Sequence, residues 1–260
     1  MEYVGLEEYA SRMDINSDDI VFISSDSKKM MWDAVSRKQP ADLNLFIDGI
    51  IQAVGIEGTV IFPTYNWDFC NGITFDYYNT PSKTGSLGAV ALKRKDFRRT
   101  KHPLYSFAVC GKYQTELCEM NNVDSFGLDS PFAFFRDHNV KNYIIDVSLQ
   151  HCFTFAHFVE EHSGIVKYRY IKEFTADYID SFCNKKRKMY SMYVRDLALD
   201  VQTSIDPIED DFRRTGVERE FKVNNSEIKL IRLGDAYDII MKDIQDNKSR
   251  KLCSYMGQED

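Results

Sequence analysis

The sequence predicts one α/β domain with a central mixed, largely parallel sheet flanked by helices. Three observations carry that expectation. A strand–helix–strand unit opens the chain, further apolar runs alternate with helical patterns, and no repeat or low-complexity linker divides the 260 residues. An apolar content of 43% supplies a sizeable core and excludes disorder.

Taken in order, residues 18–25 form a β-branched run ending in small hydroxyls, the pattern of a strand feeding a turn. Residues 27–35 continue as a helix. Between 40 and 54, the positions Leu43, Leu45, Phe46, Ile50, Ile51 and Val54 recur at helical spacing. Gly55 and Gly58 stop that helix, and residues 59–63 read as a second, buried strand. The stretch 64–84 crowds Tyr65, Trp67, Phe69, Phe75, Tyr77 and Tyr78 among Asn, Asp, Gly and Pro; connections this long usually carry function. A helix is expected over 87–97, core strands over 107–111 and 143–147, and a further helix over 153–161. Beyond it come strands at 174–178, 218–223 and 228–232 and a C-terminal helix over about 235–248. One domain spans 1–260, with its first strands and chemistry-bearing helix within 18–162.

The formal charge of −7 argues against a partner such as nucleic acid, whose phosphates demand a basic face. The acidic opening (Glu2, Glu7, Glu8, Asp14, Asp18, Asp19) has no long apolar run, so neither a signal peptide nor membrane insertion is expected. Six scattered cysteines without a C-x-x-C pair read as thiols of a reducing compartment, hence a cytoplasmic protein. The sequence is compatible with an oligomer.

Chemistry concentrates in Thr154-Phe-Ala-His157-Phe-Val-Glu160. Steps of three residues fall 60° short of a full helical turn, so Thr154 and Glu160 flank His157 on one side of the helix. A hydroxyl, an imidazole and a carboxylate on one stripe suit a base held in one tautomer. The same pattern also arises on an ordinary wet helix face. Elsewhere, His151, Cys152 and His157 lack the second ligand pair of a zinc site, and no metal is expected. There is no G-x-S-x-G elbow and no Walker A loop.

Further segments accompany this helix in a fixed order. Gly58-Thr-Val-Ile-Phe-Pro-Thr64 is followed by Trp67, Asp68 and Phe69; Thr80-Pro-Ser82 precedes Gly85-Ser-Leu87. Arg99-Thr100-x-His102-Pro103-x-x-Ser106 precedes Gly111, and Ser130-Pro131 precedes a strand. Together with T-x-x-H-x-x-E, these segments resemble the aminoglycoside 3-N-acetyltransferase family from Gly58 to Glu160. The chain departs from the family where Ile23-Ser24-Ser25 lacks the usual preceding His, and where a charged stretch over 36–42 replaces a Gly-Gly pair. After Glu161 the match is loose.

The resemblance implies that family's fold rather than a GNAT-like one, with direct acyl transfer from acetyl-CoA or another acyl-CoA to a primary amine of an amino sugar. It implies His157 as base, supported by Glu160 or Glu161, with Thr154 near the ring or thioester. Ser24, Ser25, Lys28, Thr80, Ser82 and Gly85 would meet coenzyme A; ordinary turn chemistry is the alternative for the serines and the lysine. Tyr65, Trp67 and Asp68 would meet the acceptor. His102 is read either as an acceptor contact or as a structural histidine bracing the turn at Pro103. The run from Lys93 to Arg99 could neutralise a nucleotide phosphate or form a solvated helix face. The acceptor is read as a nucleotide-linked deoxyamino sugar ahead of an aminoglycoside antibiotic, because the chain departs from the family near the first strand and over 163–260, the part that shapes the acceptor pocket. A non-catalytic protein that binds coenzyme A or sugar is the reading from another class.

Overall fold

The computed structural model describes residues 3–258. Strand β1 (Ile20–Ser25) leads to helices α1 (Lys28–Ser36) and α2 (Leu43–Val54), and β2 (Thr59–Pro63) returns parallel to β1. Next come β3 (Phe75–Asp76), α3 (Ser86–Ala91), β4 (Arg98–Arg99) and β5 (Phe107–Gly111). Helices α4 (Gln114–Glu119) and α5 (Pro131–Asp137) precede β6 (Lys141–Ile145), α6 (Leu149–Cys152) and α7 (Phe155–Ser163). A long hairpin of β7 (Arg169–Ile179) and β8 (Lys185–Arg195) follows, then β9 (Gln202–Thr203) and α8 (Glu209–Thr215). The chain closes with β10 (Glu218–Val223), β11 (Ser226–Arg232), α9 (Leu233–Asn247) and β12 (Cys253–Ser254).

Seven strands form the main sheet in the order β10-β11-β6-β1-β2-β5-β4. The sheet is mixed, as expected, but parallel only at its centre, where β1 lies between β6 and β2; the four outer ladders are antiparallel. The expectation of a largely parallel sheet is therefore corrected. Short reversals such as the Asn224-Asn225 turn between β10 and β11 allow hairpin pairing, whereas a parallel neighbour requires a crossover.

Side chains alternate across the central strands, as a period of two requires. Phe22, Ile61 and Ile144 face one apolar cluster with Phe135 and Phe158, while Val21, Val60, Phe62 and Ile145 face the other with Phe46 and Ile50. The sheet is thus buried on both faces, which explains why its strands read as continuous apolar runs. No helix among the described residues is long and apolar enough to cross a membrane.

Several elements differ from expectation. Helix α3 ends at Ala91 instead of running to 97. The apolar pattern gives way to Lys93-Arg94-Lys95-Asp96, and Arg94 leaves the helix line to pair with Asp48 and Asp96. β6 begins two residues early because Lys141, an unlikely strand opener, is neutralised by Asp19 at 2.6 Å and accepted by the Asp14 carbonyl. The basic residues Lys185, Lys186 and Arg187 are exposed and, with half-buried Lys188, open β8. Asp180 closes the hairpin turn by accepting from the Phe182 and Asn184 amides. Helix α5 was not anticipated; Pro131 at its first position fits a helix start, where the missing N–H costs nothing.

Candidate active site

Helix α7 forms because Phe155, Ala156, Phe158 and Val159 bury one face, and Gly164 in the left-handed region ends it. Thr154 occupies the N-cap position, so it stands at the helix entrance instead of on its stripe. His157 and Glu160 lie one turn apart, with His157 Nδ1 2.7 Å from Glu160 Oε2.

The surroundings of Glu160 come from further along the chain. Arg169, the first residue of β7, places Nε 2.8 Å from the same Oε2, and the Tyr168 hydroxyl donates to Oε1 at 2.8 Å. Glu160 is 1% exposed, and a lone carboxylate there would be costly; Arg169, His157 and Tyr168 satisfy it. Burial by itself would raise the Glu160 pKa, but Arg169 and the His157 and Tyr168 contacts bring it below the usual carboxylate range. Burial lowers the His157 pKa, and Arg169 lowers it further against the pull of Glu160. The imidazole is therefore neutral at physiological pH. Its Nδ1–H donates to the carboxylate, which leaves Nε2 as the basic nitrogen.

Glu161 does not take the supporting place. Burial and the nearby Asp124 push its pKa up to about 9, and the Nδ1 bond of His157 goes to Glu160 instead. Between the two glutamates left open by spacing, the structure pairs Glu160 with His157. Neither Tyr168 nor Arg169 was singled out from the sequence; both lie beyond the helix and the matched segments. Only the turn after Gly164 returns them to Glu160.

His157 forms part of the wall of a cavity of about 470 Å³. The cavity opens at the carboxyl ends of the three parallel strands: Ile23, Ser24 and Ser25 on β1, Pro63 on β2, and Val147 just past β6. In open α/β sheets this is where ligands bind. Tyr65, Trp67, Gly85, Thr154, His157, Ser24 and Ser25 all reach this wall. Tyr65, Trp67 and Tyr105 pack edge to face along one side, and Phe126 joins Tyr105 to the His157 ring.

Other sequence-derived candidates are not brought to the wall. The Thr80 hydroxyl accepts from the Asp76 amide, and its carbonyl accepts from Arg99. Ser82 bonds within its own turn to Thr84. Lys28 is exposed and paired with Asp26. Asp68 lies beside the wall, 2.5 Å from the Lys83 ammonium, which does reach it. His102 is buried, its Nδ1 accepting from the Leu104 and Tyr105 amides, and burial pushes its pKa down to about 4. It is placed as a brace for the turn. Within the basic run the arginines are engaged in the fold: Arg94 pairs with Asp48 and Asp96, Arg98 pairs with Glu119, and buried Arg99 donates to Ser106 and the Thr64 and Thr80 carbonyls, while Lys93 and Lys95 are exposed.

The geometry has counterparts among known proteins. YokD from Bacillus subtilis superposes with a TM-score of 0.77 at 16% identity, covering 96% of each chain. Sisomicin-bound AAC-VIa gives 0.76 at 15% identity, with 95% of this chain and 99% of that chain covered. The binary complex of AAC-IIIb with CoASH gives 0.74 at 13% identity and covers both chains fully. Among curated proteins no significant match is found. A family model described as aminoglycoside 3-N-acetyltransferase matches residues 32–245. With most of its length matched, the chain belongs to the aminoglycoside 3-N-acetyltransferase family and is a coenzyme A-dependent N-acyltransferase.

Proposed function

We propose that the protein transfers an acetyl group from acetyl-CoA to a primary amine of an amino sugar, with His157 as the general base. The observation that carries this reading is a neutral imidazole in the cavity wall whose Nδ1 is fixed by Glu160 at 2.7 Å. A sugar amine with a pKa of about 8 is largely protonated at neutral pH, so a positioned base assists attack on the thioester carbon. The ammonium first loses a proton to solvent; as the new C–N bond forms and the C–S bond breaks, His157 Nε2 accepts a second proton from the attacking nitrogen and returns it to the departing thiolate. Glu160 stabilises the transient imidazolium, and Arg169 and Tyr168 hold Glu160.

The residues at the β1 end fit a pantetheine arm. Gly85 has φ +70, and a Cβ there would stand 3.2 Å from the Ser25 carbonyl, so only a glycine keeps this edge open to a ligand. Ser24, Ser25 and Gly85 would hold the acyl donor, and the CoASH complex of AAC-IIIb supports that use of the fold. Supply of acetyl-CoA makes the cytoplasm the expected location. The aromatic side formed by Tyr65, Trp67 and Tyr105 supports a nucleotide-linked deoxyamino sugar as acceptor, since rings of this kind stack on a base or sugar. An aminoglycoside acceptor is the second reading, favoured by the sisomicin complex of AAC-VIa. Residues 163–260 would shape the acceptor side.

The test is release of free thiol from acetyl-CoA in the presence of these amines. His157→Ala is expected to lower kcat at least about 10²-fold. Unchanged turnover in that variant would remove His157 from the chemistry.

A further inference from the structure

The charges around the cavity bear on the acceptor. No carboxylate lines the wall among the described residues; its charged member is Lys83, accompanied by the rings of His151 and His157. The acids just behind the wall are engaged. Asp68 is paired with Lys83, Glu160 is held by Arg169 and His157, and Asp206 accepts from the Gln150 amide. Glu161, beside Asp124, carries its proton at neutral pH because burial raises its pKa to about 9. A sugar bearing several ammonium groups would meet no unpaired carboxylate in this wall and would have to compete with Lys83 for Asp68, beside a like charge.

Lys83 has the opposite disposition. Its amide bonds to the Tyr65 carbonyl, and its ammonium reaches Asp68 next to Trp67, so the head group sits on the aromatic side. Side-chain exposures of 47% for Lys83 and 32% for Asp68 make this a solvent-screened pair, which exchanges partners at little cost.

We infer that the acceptor is a singly aminated sugar carrying an anionic group, and that Lys83 is the side chain that reads that anion. This rests on the acetyl-transfer reading and narrows its acceptor. The Asp68 carboxylate holds Lys83 in place until the acceptor's anion, a phosphate ester in the simplest case, displaces it. The amine then extends along the aromatic side toward His157.

The experiment is titration calorimetry of the full chain saturated with coenzyme A, using glucosamine 1-phosphate, glucosamine and sisomicin as probes. Saturation with coenzyme A keeps its own phosphates from being mistaken for the acceptor's anion. The expected order of affinity is glucosamine 1-phosphate, then glucosamine, then sisomicin. Lys83→Gln should weaken glucosamine 1-phosphate about tenfold while leaving glucosamine within about twofold. Asp68→Asn should tighten the phosphate ester by freeing Lys83. Tightest binding of sisomicin, an affinity for glucosamine 1-phosphate unchanged in Lys83→Gln, or binding of none of the three overturns the inference. Because binding is read without turnover, these outcomes are separate from the fate of His157→Ala, which tests acetyl transfer itself.

Discussion

Arg169 shares Glu160 Oε2 with His157, so the carboxylate answers to two cations of unequal permanence. The guanidinium is always charged, and it satisfies Glu160 while the imidazole is neutral. Without Arg169, the full pull of Glu160 would act on His157 and raise its pKa. Arg169→Met is therefore expected to move the acidic limb of the kcat/KM profile to higher pH, because a larger share of His157 is then protonated and unable to accept a proton. Arg169→Lys should restore part of the shift. A profile that lowers uniformly without moving would show Arg169 to be structural only. At this scale the sequence announced His157 and Glu160 through their spacing, since a helix turn is local geometry. It was silent on Arg169, Tyr168 and Lys83, whose roles arise from contacts between separate elements.

Helix α3 rests on β2 through Gly88, where an added Cβ would stand 2.3 Å from the Pro63 carbonyl. That approach lets α3 form one wall of the cavity with Gly85, Leu87 and Gly88. Gly88→Ala must push the helix outward, because backbone on the other side cannot yield. We expect a loss of about 1–3 kcal/mol, read as a lower Tm, together with a raised KM for acetyl-CoA. Retention of both values would mean that the helix position is not fixed by this contact. Elements with strong periodicity, such as α2 and the central strands, were legible because one buried face suffices to set the pattern. The shortened α3 and the early start of β6 were not, because Arg94 and Lys141 take their places from distant acids. The hairpin β7–β8 was only half visible; its exposed, charged strand is held by backbone bonds to its neighbour, which leave little trace in side-chain type.

For the whole molecule, coenzyme A binding links the cavity to global stability. At about 100 times its Kd, coenzyme A should add about 2.7 kcal/mol to the folded state and raise Tm accordingly. The absence of any shift at millimolar coenzyme A would contradict a donor site at the β1 edge. The sequence by itself determined the α/β class, the central strands and the helix bearing His157 and Glu160, because alternation, helical period and motif order depend on near neighbours. Only the tertiary structure decided the antiparallel flanks of the sheet, the choice of Glu160 over Glu161, and the placement of Lys83 in a wall without carboxylates. Each of these depends on which distant groups share a buried space, where desolvation leaves unpaired charge too costly to remain.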